Sequence, residues 1–475
     1  MKLNQLTISQ AQIGLKTKKF TSHQLVQACF DQIQATNSVL NSFLTLNPKA
    51  LKEADSADKL IQSDPHIFKT KPLIGIPYAL KDNFLSKGIR TTASSKVLDN
   101  YVPTHDATVV ARLRHAGAII LGKTNMDAWA HGSSTETSDY GTSKNPWNIK
   151  HSPGGSSGGS AAAVSAHQCI FAIGSETAGS VRGPAAWCGI TGFKPTYGRV
   201  PRYGVVAMAS STDSPGPLTK NIEDALTITK IIAGPDPYDA TTIPDTWSVE
   251  SSDIASNIKG AKIGVPREYL LKELPQKVRA AIDTAIKVFS SLGAQVEQTS
   301  LMDPKYAIGV YTIIQRSEVS SNLARYDGVR YGNNRSFFGS EAKRRIMLGT
   351  YSLSSGYYDQ YYNKAQKVRT LIVQDYNRAF SKYDVLIGPT MPSAALKIGA
   401  SEDQAMFGEL ADVLVEASSI AGLTGLSIPC GFDHGLPVGL QITGRQRAET
   451  KVLQVGLAYQ QATDWHTKQP PILNS

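Results

Sequence analysis

Asp106 to Leu121, DATVVARLRHAGAIIL, decides the fold. Asp106 to Arg114 reads as a helix leading to Ala118 to Leu121, a short buried strand with a tight exit turn. The apolar run Leu73 to Leu80, LIGIPYAL, lies upstream and reads as another strand. Downstream, Gln276 to Leu292 places Val278, Ala281, Ile282, Ala285, Ile286 and Phe289 on one helical face, stops at Gly293 and enters a strand at Ala294 to Gln298. The helical stretch Tyr358 to Phe380 leads in the same way into Val385 to Gly388. Helices alternating with short apolar strands over most of a chain are the grammar of an α/β protein. Ahead of this pattern, Leu25, Val26, Cys29, Phe30 and Ile33 recur at helical spacing behind a cap at Thr21 or Ser22, so a helical N-terminal arm is expected.

The chain has 475 residues, 41% hydrophobic and 19% charged, with 39 Gly and 24 Pro. This profile excludes a disordered chain, a coiled coil, a collagen and a disulfide mini-domain. No apolar run reaches the roughly 18 residues of a membrane helix, and MKLNQLTISQAQIGLKTKKF lacks the apolar centre of an export signal. A soluble, cytoplasmic protein without membrane contact is the expectation. Cys29, Cys169, Cys188 and Cys430 stand far apart, which suggests buried thiols and no zinc site. The net charge of +10 makes polyanions conceivable partners, but the basic residues are scattered in short clusters such as Lys16 to Lys19 and Lys343 to Arg345.

Two motif matches mislead. Gly117 to Thr124 fits GxxxxGK[ST] letter by letter, yet its middle is an apolar run and not a phosphate-cradling turn, so nucleotide binding at Lys123 is not expected. Gly154 to Gly158 fits GxSxG, but His167, His434 and His466, the histidines beyond it, sit in no obvious catalytic setting. More informative are two tracts of small residues with serines, HSPGGSSGGSAAA (His151 to Ala163) and IGSETAGSVRGP (Ile173 to Pro184). Small residues let backbone N–H groups approach a ligand closely, as stabilising an oxyanion requires. A serine nucleophile needs a base, and where histidine is missing a buried neutral lysine serves. Lys81 fits: it ends the apolar run, and Asp82 and Asn83 offer polar partners.

These runs, with GIPYALKDNF (Gly75 to Phe84), LGKTNMDAWAHGSSTETSDYG (Leu121 to Gly141) and GSETAGSVRGPAAWCGITGFKPTYGRV (Gly174 to Val200), closely resemble the amidase signature family. The resemblance implies a single large α/β/α domain, residues 66–475, around a mixed, twisted β-sheet, behind the helical arm of residues 1–65. It also implies a Ser-cisSer-Lys triad, with Ser180 as nucleophile, Ser156 as the bridging serine after a cis peptide, and Lys81 as base. Backbone N–H groups of Thr177, Ala178, Gly179 and Ser180 would form the oxyanion hole. Later runs, among them SEVSSNLARYDGVRYG (Ser317 to Gly332) and KRRIMLGTYSLSSGYYDQYYNKAQKVRT (Lys343 to Thr370), look like the family branch that supplies the glutaminase subunits of tRNA-dependent amidotransferases. For that branch the resemblance implies glutamine as substrate, bound by Tyr311, Arg345 and Asp412. It implies the B and C subunits of the amidotransferase as partners, with charged tRNA reached through the complex. It places ATP and Mg at the B subunit, with neither cofactor nor metal in this chain. A stand-alone amidase acting on other small amides is the alternative. Glu176, Ala178, Gly183, His131 and the pair Gln315-Arg316 depart from the family's usual residues, and the segment between Tyr331 and Phe337 is shorter than usual.

Overall fold

In a computed structural model, which describes residues 2–249, 254, 256–400 and 407–474, the unit around Gly117 is a helix Thr108–His115 followed by a strand Ile119–Thr124. Gly117 turns between them at φ +89°, and a Cβ there would lie 2.6 Å from the Ile74 Cα, so the turn admits no side chain. The strand runs on through Gly122, Lys123 and Thr124, which the phosphate-loop pattern would need as a turn.

Among the described residues, eleven strands form one mixed sheet. In chain order they are β1 (Phe43–Leu46), β2 (Pro77–Lys81), β3 (Ile119–Thr124), β4 (Phe171–Glu176), β5 (Thr191–Lys194), β6 (Ser214–Thr219), β7 (Lys262–Pro266), β8 (Gln295–Thr299), β9 (Val385–Pro389), β10 (Thr424–Asp433) and β11 (Leu436–Gly444). Their spatial order is β1-β3-β2-β4-β6-β5-β10-β11-β9-β7-β8. The first six strands fill one side of the sheet and the last five the other, meeting where β5 pairs antiparallel with β10 through Gly192 to Lys194 and Gly425 to Ser427. Every residue of β2, β3, β4, β5, β6, β9 and β11 is buried. Since successive side chains point to opposite faces, both faces are covered there.

Two apolar cores follow this division. Ile8, Leu25, Ile33, Ile120, Phe171 and Ile173 belong to one, and Val278, Ile282, Phe289, Ile387, Leu426 and Leu440 to the other. The N-terminal helices Ile8–Lys16 and Ser22–Leu40 lie on the first core. The Thr21 side chain accepts from the Gln24 N–H at 3.1 Å while the Gln24 side chain accepts from the Thr21 N–H at 2.9 Å, fixing the start of the second helix. This segment also adds β1 to the sheet edge beside β3. The helix Gln276–Ser291, Gly293 at φ +84° and β8 form the unit read at Gln276 to Gln298. The stretch from Tyr358 begins with a π-helical turn, Asp359–Asn363, before the α-helix Lys364–Phe380. Among the described residues, no helix is long and apolar enough to cross a membrane.

β2 and β4 run parallel, with Tyr78 to Leu80 paired to Phe171 to Ile173. Their C-terminal ends, Lys81 and Glu176, therefore come out at the same edge of the sheet, where α/β proteins commonly place their sites.

Candidate active site

Lys81, the last residue of β2, is fully buried. Its Nζ lies 2.8 Å from Ser156 Oγ and donates to the Ser175 carbonyl at 2.9 Å. Burial pushes the ammonium down to about 7, against the opposing pull of Asp127, Asp213 and Glu176, so a large neutral fraction exists near neutrality. Asp82 does not partner Lys81 as its position in the sequence suggested. Its carboxylate takes the Thr92 N–H at 2.9 Å and faces Lys123 at 3.5 Å, while Asn83 donates to Ser175 Oγ at 2.9 Å.

Ser156 follows a cis peptide at Gly155 and precedes the buried helix Gly158–Ser165. Small residues are required here, because a Cβ on Gly155 would lie 2.0 Å from Asp127 Oδ2 and one on Gly159 2.4 Å from the Asn125 carbonyl oxygen. Ser180 sits in the turn between β4 and the helix Arg182–Cys188. The Ser157 N–H donates to the Ser180 carbonyl at 3.2 Å, joining the two tracts. Among the described residues the Ser180 hydroxyl makes no hydrogen bond, so the lysine-to-Ser156 link is formed here and a Ser156-to-Ser180 link is not.

The turn itself is held by ions. Glu176 Oε2 accepts from the N–H groups of Val181 and Arg182 at 3.0 Å each, and Oε1 accepts from Arg182 Nη2 at 2.6 Å. Burial raises the Glu176 carboxyl, but the charge and hydrogen bonds of Arg182 outweigh it and hold the group below its ordinary range. Arg182 further donates to the carbonyls of Ala178 and Val415 and to the hydroxyls of Ser418 and Ser419. Thr177 Oγ1 donates to Asp213 at 2.7 Å. With the next two N–H groups committed to Glu176, those of Thr177, Ala178, Gly179 and Ser180 meet no acceptor among the described residues. Such a turn of unpaired donors can hold negative charge that develops beside Ser180.

The other half of the sheet contributes the remaining groups. Asp412 is buried against the turn, since a Cβ on Gly179 would lie 2.5 Å from its Oδ1. Asp412 Oδ2 accepts from Ser133 Oγ at 2.7 Å while Oδ1 has no partner among the described residues, and burial pushes the carboxyl up to about 8. Arg345 is buried on the helix Ser340–Leu353 and donates to Glu341 at 2.5 Å, with Glu409 4.0 Å away. Tyr311 lies buried on the helix Lys305–Leu323, its hydroxyl held well above the ordinary range by burial, with Arg345, Glu416 and Asp412 around it. The structure therefore brings Asp412 to the serine turn, and Tyr311 and Arg345 into one charged cluster with it. Arg345 is already paired with an acid.

Several groups escaped sequence reading. Glu176 and Arg182 bracket Ser180 closely in sequence, which could have marked them as its clamp. Ser133, in the GSST run, could have been read as a hydroxyl donor. Nothing local singled out Glu409 or Glu416. Lys123 is buried and donates to the Phe84 carbonyl at 2.6 Å and to Thr91 Oγ1 at 2.7 Å, as a structural lysine inside β3. No group of three or more His, Cys, Asp or Glu side chains among the described residues is arranged to hold a metal ion.

The Amidase family model matches residues 24–453. A relative from Desulfatibacillum aliphaticivorans, named as the A subunit of Glutamyl-tRNA(Gln) amidotransferase, is 45% identical over 487 residues, 99% of this chain and 100% of that protein. One of the same name from Geobacillus thermodenitrificans is 46% identical over 490 residues, with both chains covered completely. Among solved structures, the A subunit of Glutamyl-tRNA(Gln) amidotransferase from Thermotoga maritima matches with a TM-score of 0.82 at 39% identity, covering 96% of this chain and 95% of that one. The native peptide amidase from Stenotrophomonas maltophilia matches with a TM-score of 0.86 at 29% identity, covering 99% of each chain.

Proposed function

We propose, because this chain belongs to the amidase signature family, that it is the glutamine-hydrolysing subunit of a tRNA-dependent amidotransferase, with Ser180, Ser156 and Lys81 as its catalytic groups. The observation that carries the reading is a buried lysine, neutral in large part near pH 7, 2.8 Å from Ser156 and beside a serine turn with unpaired N–H donors. Likeness at 45% identity along the full chain to subunits of that name favours this reading over a stand-alone amidase.

In this mechanism Ser180 Oγ attacks the side-chain amide carbon of glutamine as its proton passes to Ser156 and the Ser156 proton passes to Lys81. The carbonyl oxygen becomes an oxyanion held by N–H groups from Thr177 to Ser180, each typically worth about 3 kcal/mol in such sites. The proton returns through the same relay to the amide nitrogen, the C–N bond breaks and ammonia leaves. Water then attacks the glutamyl ester, giving up its proton to the relay, and glutamate departs. Arg345 faces the α-carboxylate of glutamine, Asp412 its α-ammonium, and Tyr311 adds a polar contact. Ammonia would pass to the B subunit, which would hold ATP and Mg to supply activation of the glutamyl or aspartyl group carried on tRNA, and the C subunit would complete the complex. Translation in the cytoplasm is its setting.

The test is co-expression with candidate B and C partners, followed by glutamine-dependent and ammonia-dependent amidation of charged tRNA. Ser180→Ala is expected to abolish the first and leave the second intact. Glutamine-dependent amidation that survives in Ser180→Ala refutes the assignment. A chain that associates with no partner and cleaves simple amides as readily as glutamine makes the stand-alone amidase the better reading.

A further inference from the structure

The acids and bases around Tyr311 do not balance. Arg345 donates to Glu341 at 2.5 Å and Arg316 to Glu409 at 3.0 Å, so each arginine already faces an acid of its own. Asp412 and Glu416 remain. They lie one helical turn apart, the Glu416 N–H donating to the Asp412 carbonyl at 3.0 Å. Among the described residues, Asp412 Oδ1 has no hydrogen-bond partner, and neither does either carboxylate oxygen of Glu416, although Glu416 is completely buried. Gln315, one turn beyond Tyr311 on the same helix, is 1% exposed, and neither its Oε1 nor its Nε2 is partnered among the described residues. Folded proteins leave few buried polar atoms unpaired, and leaving one so costs stability that a ligand contact can justify. Here three side chains leave five beside one tyrosine.

Resting on the glutaminase reading above, we propose that Glu416 and Gln315 form, with Asp412, a three-acceptor cradle for a substrate ammonium, making them determinants that select amides bearing an amino group. An ammonium carries three N–H donors, matched by Asp412 Oδ1, one oxygen of Glu416 and Gln315 Oε1. Its positive charge would face two carboxyls, Asp412 and Glu416, that form no salt bridge among the described residues. Burial, with Asp412 and Glu409 adding to it and Arg345 opposing, holds the Glu416 carboxyl well above its ordinary range. A substrate of the same length without the amino group would leave these acceptors buried and empty, and discrimination of this kind is strong.

The experiment compares ammonia release from glutamine and from glutaramate, which is glutamine without its amino group, by the assembled complex. The wild type is expected to prefer glutamine. Glu416→Gln and Gln315→Met are each expected to cut that preference about tenfold or more, through a raised KM for glutamine, with kcat within about twofold and the constants for glutaramate unchanged. Without ligand, Glu416→Gln and Glu416→Val are expected to melt at or above the wild-type temperature, because an unpaired buried carboxyl is removed, while the rise in Tm on adding glutamine shrinks. An unchanged preference in folded Glu416→Gln and Gln315→Met overturns the cradle alone. So does a lower Tm in both Glu416 variants, which marks that residue as structural. A wild-type complex that cleaves other amides but leaves glutamine intact refutes the glutaminase reading, and the cradle with it.

Discussion

Replacing Lys81 by methionine tests the base through stability as well as through rate. Burial pushes this lysine from 10.5 down to about 7. At 1.36 kcal/mol per pKa unit, holding it charged in the folded state costs about 5 kcal/mol. Between about pH 7 and 10.5 the unfolded chain binds the proton and the folded chain has released it, so stability rises with pH across that window. The cost is complete below about pH 7 and gone above about pH 10.5. Lys81→Met removes this cost together with the contacts to Ser156 and the Ser175 carbonyl, which contribute about 1 kcal/mol each. The variant is therefore expected to be about 2 to 3 kcal/mol more stable than the wild type near pH 7, and about 2 kcal/mol less stable near pH 10.5. The curves cross near pH 9, at about the point where the remaining charge cost equals the lost contacts. Urea unfolding followed by tryptophan fluorescence at several pH values measures this, and ammonia release from glutamine should be lost throughout. A variant destabilised equally at all pH values would show that Lys81 is not a desolvated lysine, and one with near-normal turnover would show that it is not the base.

Gly179→Ala places a methyl 2.5 Å from Asp412 Oδ1 and 2.6 Å from Val415 Cγ2. Displacing the turn is expected to lower kcat about a hundredfold with the circular dichroism spectrum retained, and wild-type kcat would contradict the N–H assignment. For the wild type, kcat/KM is expected to fall about tenfold per pH unit below about pH 7, as Lys81 becomes protonated and cannot accept the Ser156 proton. A profile flat down to about pH 5 would rule that out. Arg345→Ala is expected to raise KM for glutamine about tenfold or more while leaving ammonia-dependent amidation of tRNA unchanged, because added ammonia bypasses the pocket. An unaltered KM would remove Arg345 from the substrate site.

Much of this was legible in the chain because periodicity and small-residue tracts are local signals. The unit at Gln276 to Gln298 needs only its own spacing and Gly293, whereas the run Leu73 to Leu80 before Lys81 is strand only from Pro77, with Leu73 to Gly75 a turn in which Gly75 has φ +74°. The antiparallel pair β10 and β11 carries no such signal: TGLSIPCGFD contains two glycines and a proline, residues poor in strand propensity, and tertiary packing overrides them. Arg345 and Asp412 entered only through the family resemblance, since a charged residue on a helix reads as surface until the neighbouring elements bury it. The partners of Asp82 were not legible for a related reason: it is the first residue beyond β2, and in the turn there its carboxylate meets Thr92 and Lys123, which come from other segments of the chain.

The meeting of β5 with β10 also bears on how the chain is made. On one side β5 pairs with β6, which follows within a few tens of residues. On the other it waits for a strand beginning at Thr424, 230 positions beyond Lys194 (424 − 194). A ribosome that has released the first six strands has thus exposed a half-sheet whose inner edge is open, with the groups later clasped by Arg182 and Lys194 not yet synthesised. Unpaired edges of this kind invite pairing with other chains. Folding is then governed by a contact between distant segments, which makes it slow and dependent on protection during synthesis. Expression of the N-terminal half alone should give aggregates, and supplying the C-terminal half as a separate polypeptide should recover soluble material by closing that edge.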